Sequence, residues 1–91
     1  MDKVFGDIHY YDCKGRQYKL DYLSNEIKQM GVEVTRTGFN DDYDGYVEVR
    51  VTLEEAIMLS NKYKHFGLIG NGKTIEEQFK DALRIEKMIK N

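Results

Sequence analysis

Val47, Val49 and Val51 alternate with Tyr46, Glu48 and Arg50, and Val32 and Val34 repeat the pattern against Glu33, Thr35 and Thr37. Successive strand side chains point to opposite faces, so each run puts its valines on one side and its polar residues on the other. Strands of a parallel sheet are covered on both faces and read as unbroken apolar runs. Alternation therefore predicts an antiparallel sheet with one packed face and one wet face. Between the two runs lies Asn40-Asp41-Asp42-Tyr43-Asp44-Gly45. Asn and Asp bond their own backbone and tolerate left-handed angles, and Gly takes positive φ without strain, so this is a turn. A hairpin over residues 32–52 is the frame for the rest.

Upstream, Val4, Gly6, Ile8 and Tyr10 alternate with Phe5, Asp7, His9 and Tyr11, and Asp12-Cys13-Lys14-Gly15 is a second turn. Alternation resumes over Arg16 to Leu20, which predicts a second hairpin. The competing reading is a helix from near Gln17, because Leu20, Leu23, Ile27 and Met30 also make a helical stripe. With the hairpin, Asp21 becomes the N-cap of a helix over residues 22–30 that ends at Gly31. Thr52-Leu53-Glu54-Glu55 and Thr74-Ile75-Glu76-Glu77 are two capping boxes. The first opens a helix to about Lys64 that presents Leu53, Ala56, Ile57, Leu59 and Tyr63. The second opens a helix turning Ile75, Phe79, Ala82, Leu83 and Ile89 inward. The expected architecture is α+β in the order ββαββαα: about four antiparallel strands with helices packed on one face.

With 91 residues the chain is read as one domain, residues 1–91. Charged residues make up 33%, but both signs are mixed and the net charge is -2, unlike the strong positive excess of a dedicated nucleic-acid binder. A single cysteine, Cys13, excludes an intrachain disulfide and favours a reducing compartment. No apolar run reaches the length of a membrane span, and the N-terminal residues lack the layout of a secretion signal, so a cytoplasmic location is expected. Small size and a Lys/Ile/Tyr/Asp-rich composition suit a phage or mobile-element protein.

Two stretches imitate known chemistry. Gly67-Leu68-Ile69-Gly70-Asn71-Gly72-Lys73-Thr74 fits the phosphate-loop pattern G-x-x-x-x-G-K-T. A true phosphate loop follows a buried strand and needs a later acidic Mg²⁺ ligand; here polar residues 61–66 precede it and only one helix follows. It is read as a Gly-rich connection between helices. Asn40, Asp42, Asp44 and Gly45 fit the first half of a calcium loop, but Val51 stands where a bidentate Glu is required. His9, Cys13 and His65 are too few for a zinc site, and Cys13 is expected as a free thiol in a surface turn. No cofactor, metal or catalytic residue is expected, and the chain is read as a non-enzyme.

The distinctive surface is acidic. Asp41, Asp42 and Asp44 crowd the hairpin tip, with Glu48 behind and Tyr43 and Tyr46 interleaved. Carboxylates that repel one another gain nothing for folding, and tyrosine amid charge suits a protein contact. These six residues predict a small protein-binding module, in its sharpest form an inhibitor of a host nuclease or defence protein. The polar sheet face, expected to expose His9, Tyr11, Gln17, Lys19, Glu33, Thr35, Glu48 and Arg50, is the companion surface. A nucleic-acid binder using Tyr10, Tyr11, Lys14, Arg16 and Lys19 is the first alternative, and a small-ligand or nucleotide binder the second. The partner is otherwise undefined; a monomer or a homodimer fits equally.

Overall fold

A computed structural model of the chain describes residues 2–90. Its elements are β1 (Val4–Tyr10), α1 (Gln17–Gln29), β2 (Glu33–Phe39), β3 (Gly45–Val51), α2 (Leu53–Lys62), β4 (Phe66–Leu68) and α3 (Ile75–Lys90). The strands form one sheet in the order β2-β3-β1-β4, and each neighbouring pair is antiparallel. The expected α+β class and four-stranded antiparallel sheet are present. The elements follow one another as βαββαβα, however, so two segments depart from the sequence reading.

The register explains the two faces. Val4 pairs with Val51, Gly6 with Val49 and Ile8 with Val47, and all six are buried. Between them Phe5 pairs with Arg50, Asp7 with Glu48 and His9 with Tyr46, and these six are only half-buried. Leu20 and Ile27 of α1, Ala56 and Leu59 of α2, and Phe79 and Ala82 of α3 join the valines in one core cluster. The helices therefore cover the valine face, as one-sided apolar strands require. The α2 capping box closes in both directions: Glu55 N donates to Thr52 Oγ1 at 3.2 Å and Thr52 N to Glu55 Oε1 at 3.0 Å. A cap of this kind stabilises a helix by about 1 kcal/mol.

The expected arm Arg16–Leu20 is helical from Gln17 onward. Five alternating residues compete with Leu20, Ser24 and Ile27, which sit on one helical face and are all buried. That stripe buries more than a short ribbon arm could, so the helical period wins. Asp21 accordingly lies inside α1, not at its cap; Arg16 holds the cap position with no side-chain bond. Gly31 does end the helix as expected, at φ +82 with its amide donating to the Lys28 carbonyl. The missing strand is β4, three residues long and too short for alternation to show. It supplies the fourth strand in place of Arg16–Leu20. Ile89, expected inward, is 77% exposed, because the buried stripe of α3 gives out before the helix does.

Cys13 is also corrected. It is 0% exposed, sealed under β3, where a Cβ on Gly45 would come within 2.9 Å of its sulfur. Gly45 thus serves a close approach and not a left-handed turn; it is Tyr43 that takes positive φ at the tip, +62. The first six elements, β1-α1-β2-β3-α2-β4 in the sheet order β2-β3-β1-β4, make the split-βαβ arrangement of ferredoxin-like domains, with α3 added. That architecture carries many unrelated functions.

Candidate functional site

The uncovered face centres on two carboxylates. Asp7 in β1 and Glu48 in β3 are direct cross-strand partners, a placement in which like charges destabilise a sheet. Among the described residues, no Lys or Arg forms an ion pair with either. Arg36 is registered opposite Glu48, yet its guanidinium sits over the Tyr46 ring, 5.5 Å from the centroid. Glu48 instead accepts from the Thr35 hydroxyl at 2.9 Å, and Thr35 stands at the irregularity in β2 between Val34 and Arg36. Burial raises the Asp7 carboxyl above the usual carboxylate range; His9 pulls it down and Glu48 pushes it further up.

The sign of that shift matters. A carboxyl with a raised folded pKa favours the folded state most below the unfolded value of 3.8, and that contribution is lost as pH rises through the folded pKa. At neutral pH the charged Asp7 therefore opposes folding. Asp7→Asn is expected to raise the melting temperature at pH 7, and the gain is expected to vanish in acid. A lowered melting temperature at pH 7 would mean that the carboxylate is satisfied by the fold.

Around this pair lies a shallow cleft of about 140 Å³ lined by Phe5, Gly6, Asp7, Glu48, Gly67, Leu68 and Ile69, with no helical residue among them. Gly67 faces Asp7 across the β1–β4 pair, and a Cβ placed on it would meet nothing within 4 Å. Phe5 and Ile69 continue into a second, mostly apolar cleft that also takes in Arg50, Glu86 and Ile89. There Arg50 lies over the Phe5 ring, 4.6 Å from the centroid, and pairs with Glu86 at 3.2 Å. At the other end of the face His9, Tyr11 and His65 gather; Tyr11 meets His65 edge-on at 4.7 Å between ring centroids.

The six predicted contact residues divide into two places. Tyr46 and Glu48 lie on the uncovered face, while Asp41, Asp42 and Tyr43 are exposed at the hairpin tip with Asp44 half-buried beside them. Asn40 Oδ1 accepts from the amides of Asp42 and Asp44 at 2.9 and 3.0 Å, so this oxygen is turned into the turn itself. The tip docks on the β1–α1 connection, where the Gly15 amide donates to the Tyr43 carbonyl at 2.9 Å. The acidic tip and the basic turn, offered by the sequence as alternative sites, are neighbours in the fold.

The five residues of the alternative set are dispersed. Tyr10 shares the core-facing side of β1 with Val4 and Ile8, packs against the core and meets Tyr63 edge-on at 6.4 Å, so its ring is no stacking platform. Its hydroxyl is buried without a hydrogen-bond partner among the described residues, and burial raises its pKa. Lys19 is on α1 and pairs with Asp12 at 2.9 Å, which holds that carboxyl below the usual range. Gln17 and Lys19, expected on the sheet face, leave it with the helix. Tyr11, Lys14 and Arg16 remain exposed.

Two amides of the glycine-rich stretch are already taken by carboxylates of the chain. Asn71 N donates to Asp81 Oδ2 at 2.8 Å and Lys73 N to Glu77 Oε2 at 2.9 Å, both carboxylates coming from α3. The anion that a phosphate loop would cradle is replaced by side chains of the chain itself, and the Asn71 amide lowers the Asp81 pKa. Thr74 Oγ1 accepts from Glu77 N at 3.2 Å, the forward half of the expected box. Glu77 does not reach back to Thr74, because its carboxylate is held at Lys73.

Asp7 was not named as a site residue from the sequence, and Gly67 and Ile69 entered only as letters of the phosphate-loop match. Alternation placed Asp7 on the polar side of β1, but only the β1–β3 register sets it against Glu48, and only β4 brings Gly67 and Ile69 beside them. Scans against protein-family models, curated proteins and solved structures find no significant match to the chain. No helix among the described residues is long and apolar enough to cross a membrane.

Proposed function

We propose that the chain is a non-enzymatic module that binds another protein through the β2–β3 hairpin and the sheet face continuous with it. The observation that carries this reading is Glu48 set against Asp7 at the centre of an uncovered face, a pairing that works against the fold. Asp41, Asp42 and Asp44 extend the same sign of charge to the tip, and Tyr43 and Tyr46 supply ring area and hydroxyls at the two places. The partner offers a basic surface, and a nuclease groove or a defence protein blocked by this hairpin is the sharpest form of the proposal. Burying tyrosines beside matched charges is the composition of an effective protein contact.

The tip carboxylates make no side-chain hydrogen bond or ion pair among the described residues, so they can be neutralised without harm to the fold. Asp41→Asn, Asp42→Asn and Asp44→Asn together are expected to leave the melting temperature unchanged or raised, and to weaken a partner recovered from the native host. A large loss of folding in the triple variant would count against the reading. Labelled single strands titrated at two salt concentrations supply the contrasting result, since phosphate binding must weaken steeply with salt.

A further inference from the structure

Building on the reading just given, we infer that the uncovered face takes an extended partner segment carrying a basic side chain and, two residues away, an aliphatic one. Two adjoining clefts share Phe5 and Ile69 but differ in chemistry. The first is bounded by the Asp7 and Glu48 carboxylates, the second by Phe5, Ile69 and Ile89. Ile69 and Ile89 are 44% and 77% exposed, so this second half lies open. A Lys or Arg side chain is the group that suits the first half: its stem lies along Phe5 and Ile69, and its head neutralises a pair that no Lys or Arg among the described residues neutralises.

The order of the two side chains is fixed by charge. In the apolar half Arg50 lies over Phe5 and is already neutralised by Glu86, so a second cation finds no unmatched acidic pair there while an aliphatic group finds Phe5, Ile69 and Ile89. The spacing follows from strand geometry. Asp7 and Phe5 are two residues apart on one face of β1, roughly 7 Å, which is also the repeat of same-face side chains along an extended partner. Gly67 leaves the entrance clear, since any side chain there would stand in the open space opposite Asp7.

The test selects binders to the intact chain from a displayed library of random peptides, then maps the enriched peptides by amide chemical shifts. Peptides with a basic residue two positions from an aliphatic one are expected, perturbing Phe5, Asp7, Glu48, Gly67 and Ile69. Their affinity is expected to fall about tenfold or more in Asp7→Asn/Glu48→Gln, and to be unchanged in Glu54→Gln, an exposed acid on α2 outside the sheet face and the hairpin. Melting curves show that the double variant is folded. Enriched peptides that perturb the same residues but lack a basic group, and bind the double variant equally, overturn the inference and leave the face as a protein-binding surface. Enrichment only at another surface, or none, overturns both.

Discussion

Gly70→Ala is expected to destabilise the protein by about 3 kcal/mol, at the upper end of what overpacking costs. Gly70 is buried where the chain leaves β4 and passes against α3. A Cβ there would overlap the Gln78 carbonyl oxygen and lie 2.5 Å from the Ala82 nitrogen and 3.0 Å from the Asp81 carbonyl carbon. All of these are helix backbone, so no side chain can rotate away; α3 itself has to move. Asn71 and Lys73 are tied to that helix through Asp81 and Glu77, and the shift would loosen those bonds too. For a domain of this size the loss corresponds to a fall in melting temperature of about 15 °C. Gly67→Ala is the control: its Cβ meets nothing, and a change within about 0.5 kcal/mol is expected. Similar melting curves for the two variants would mean that α3 does not pack on this loop.

Ile8→Ala is expected to cost about 3.5 kcal/mol, the middle of the range for emptying a buried aliphatic site. Ile8 is 1% exposed and lies between Val47 of β3 and Phe66 of β4, so the cavity would open in the middle of the sheet where the neighbours are held by ladder bonds. Against a total stability on the order of 10 kcal/mol, that is about a third. Urea denaturation should show the midpoint falling with little change in slope. Ile89→Ala removes the same side chain from an exposed site and should change stability by less than about 0.5 kcal/mol. Comparable losses at the two positions would contradict the placement of the core.

The contrast between Ile8 and Ile89 shows how far the sequence could be read. Period-two alternation at Val47, Val49 and Val51 fixed a face because three repeats in one strand leave no other arrangement that hides them. Ile89 continued a helical stripe by spacing alone, and spacing does not say where the sheet beneath a helix stops. Arg16 to Leu20 failed for a related reason: five residues satisfy both periods, and the decision belonged to Ser24 and Ile27 further on. At the tip the composition was legible, but the residue in the left-handed region was not, since Tyr43 takes it among five Asn, Asp and Gly candidates. The candidate site was half legible. Glu48 and Tyr46 came from the strand pattern, whereas the facing of Asp7 on Glu48 is a fact of register between strands separated by more than thirty residues. The phosphate-loop match was set aside on its context alone; the acids that bond the loop amides, Glu77 and Asp81, lie just beyond the pattern.

The closed environment of Cys13 gives the molecule a built-in clock. An alkylating reagent has a single sulfhydryl to find, and it is held under Gly45 with no exposed surface. Labelling thus waits for the hairpin tip to lift from the preceding turn, and its rate at low reagent reports the fraction of time the tip is lifted. A partner gripping the hairpin would slow that reaction without touching the sulfur, so its arrival could be timed on the native chain with no added probe.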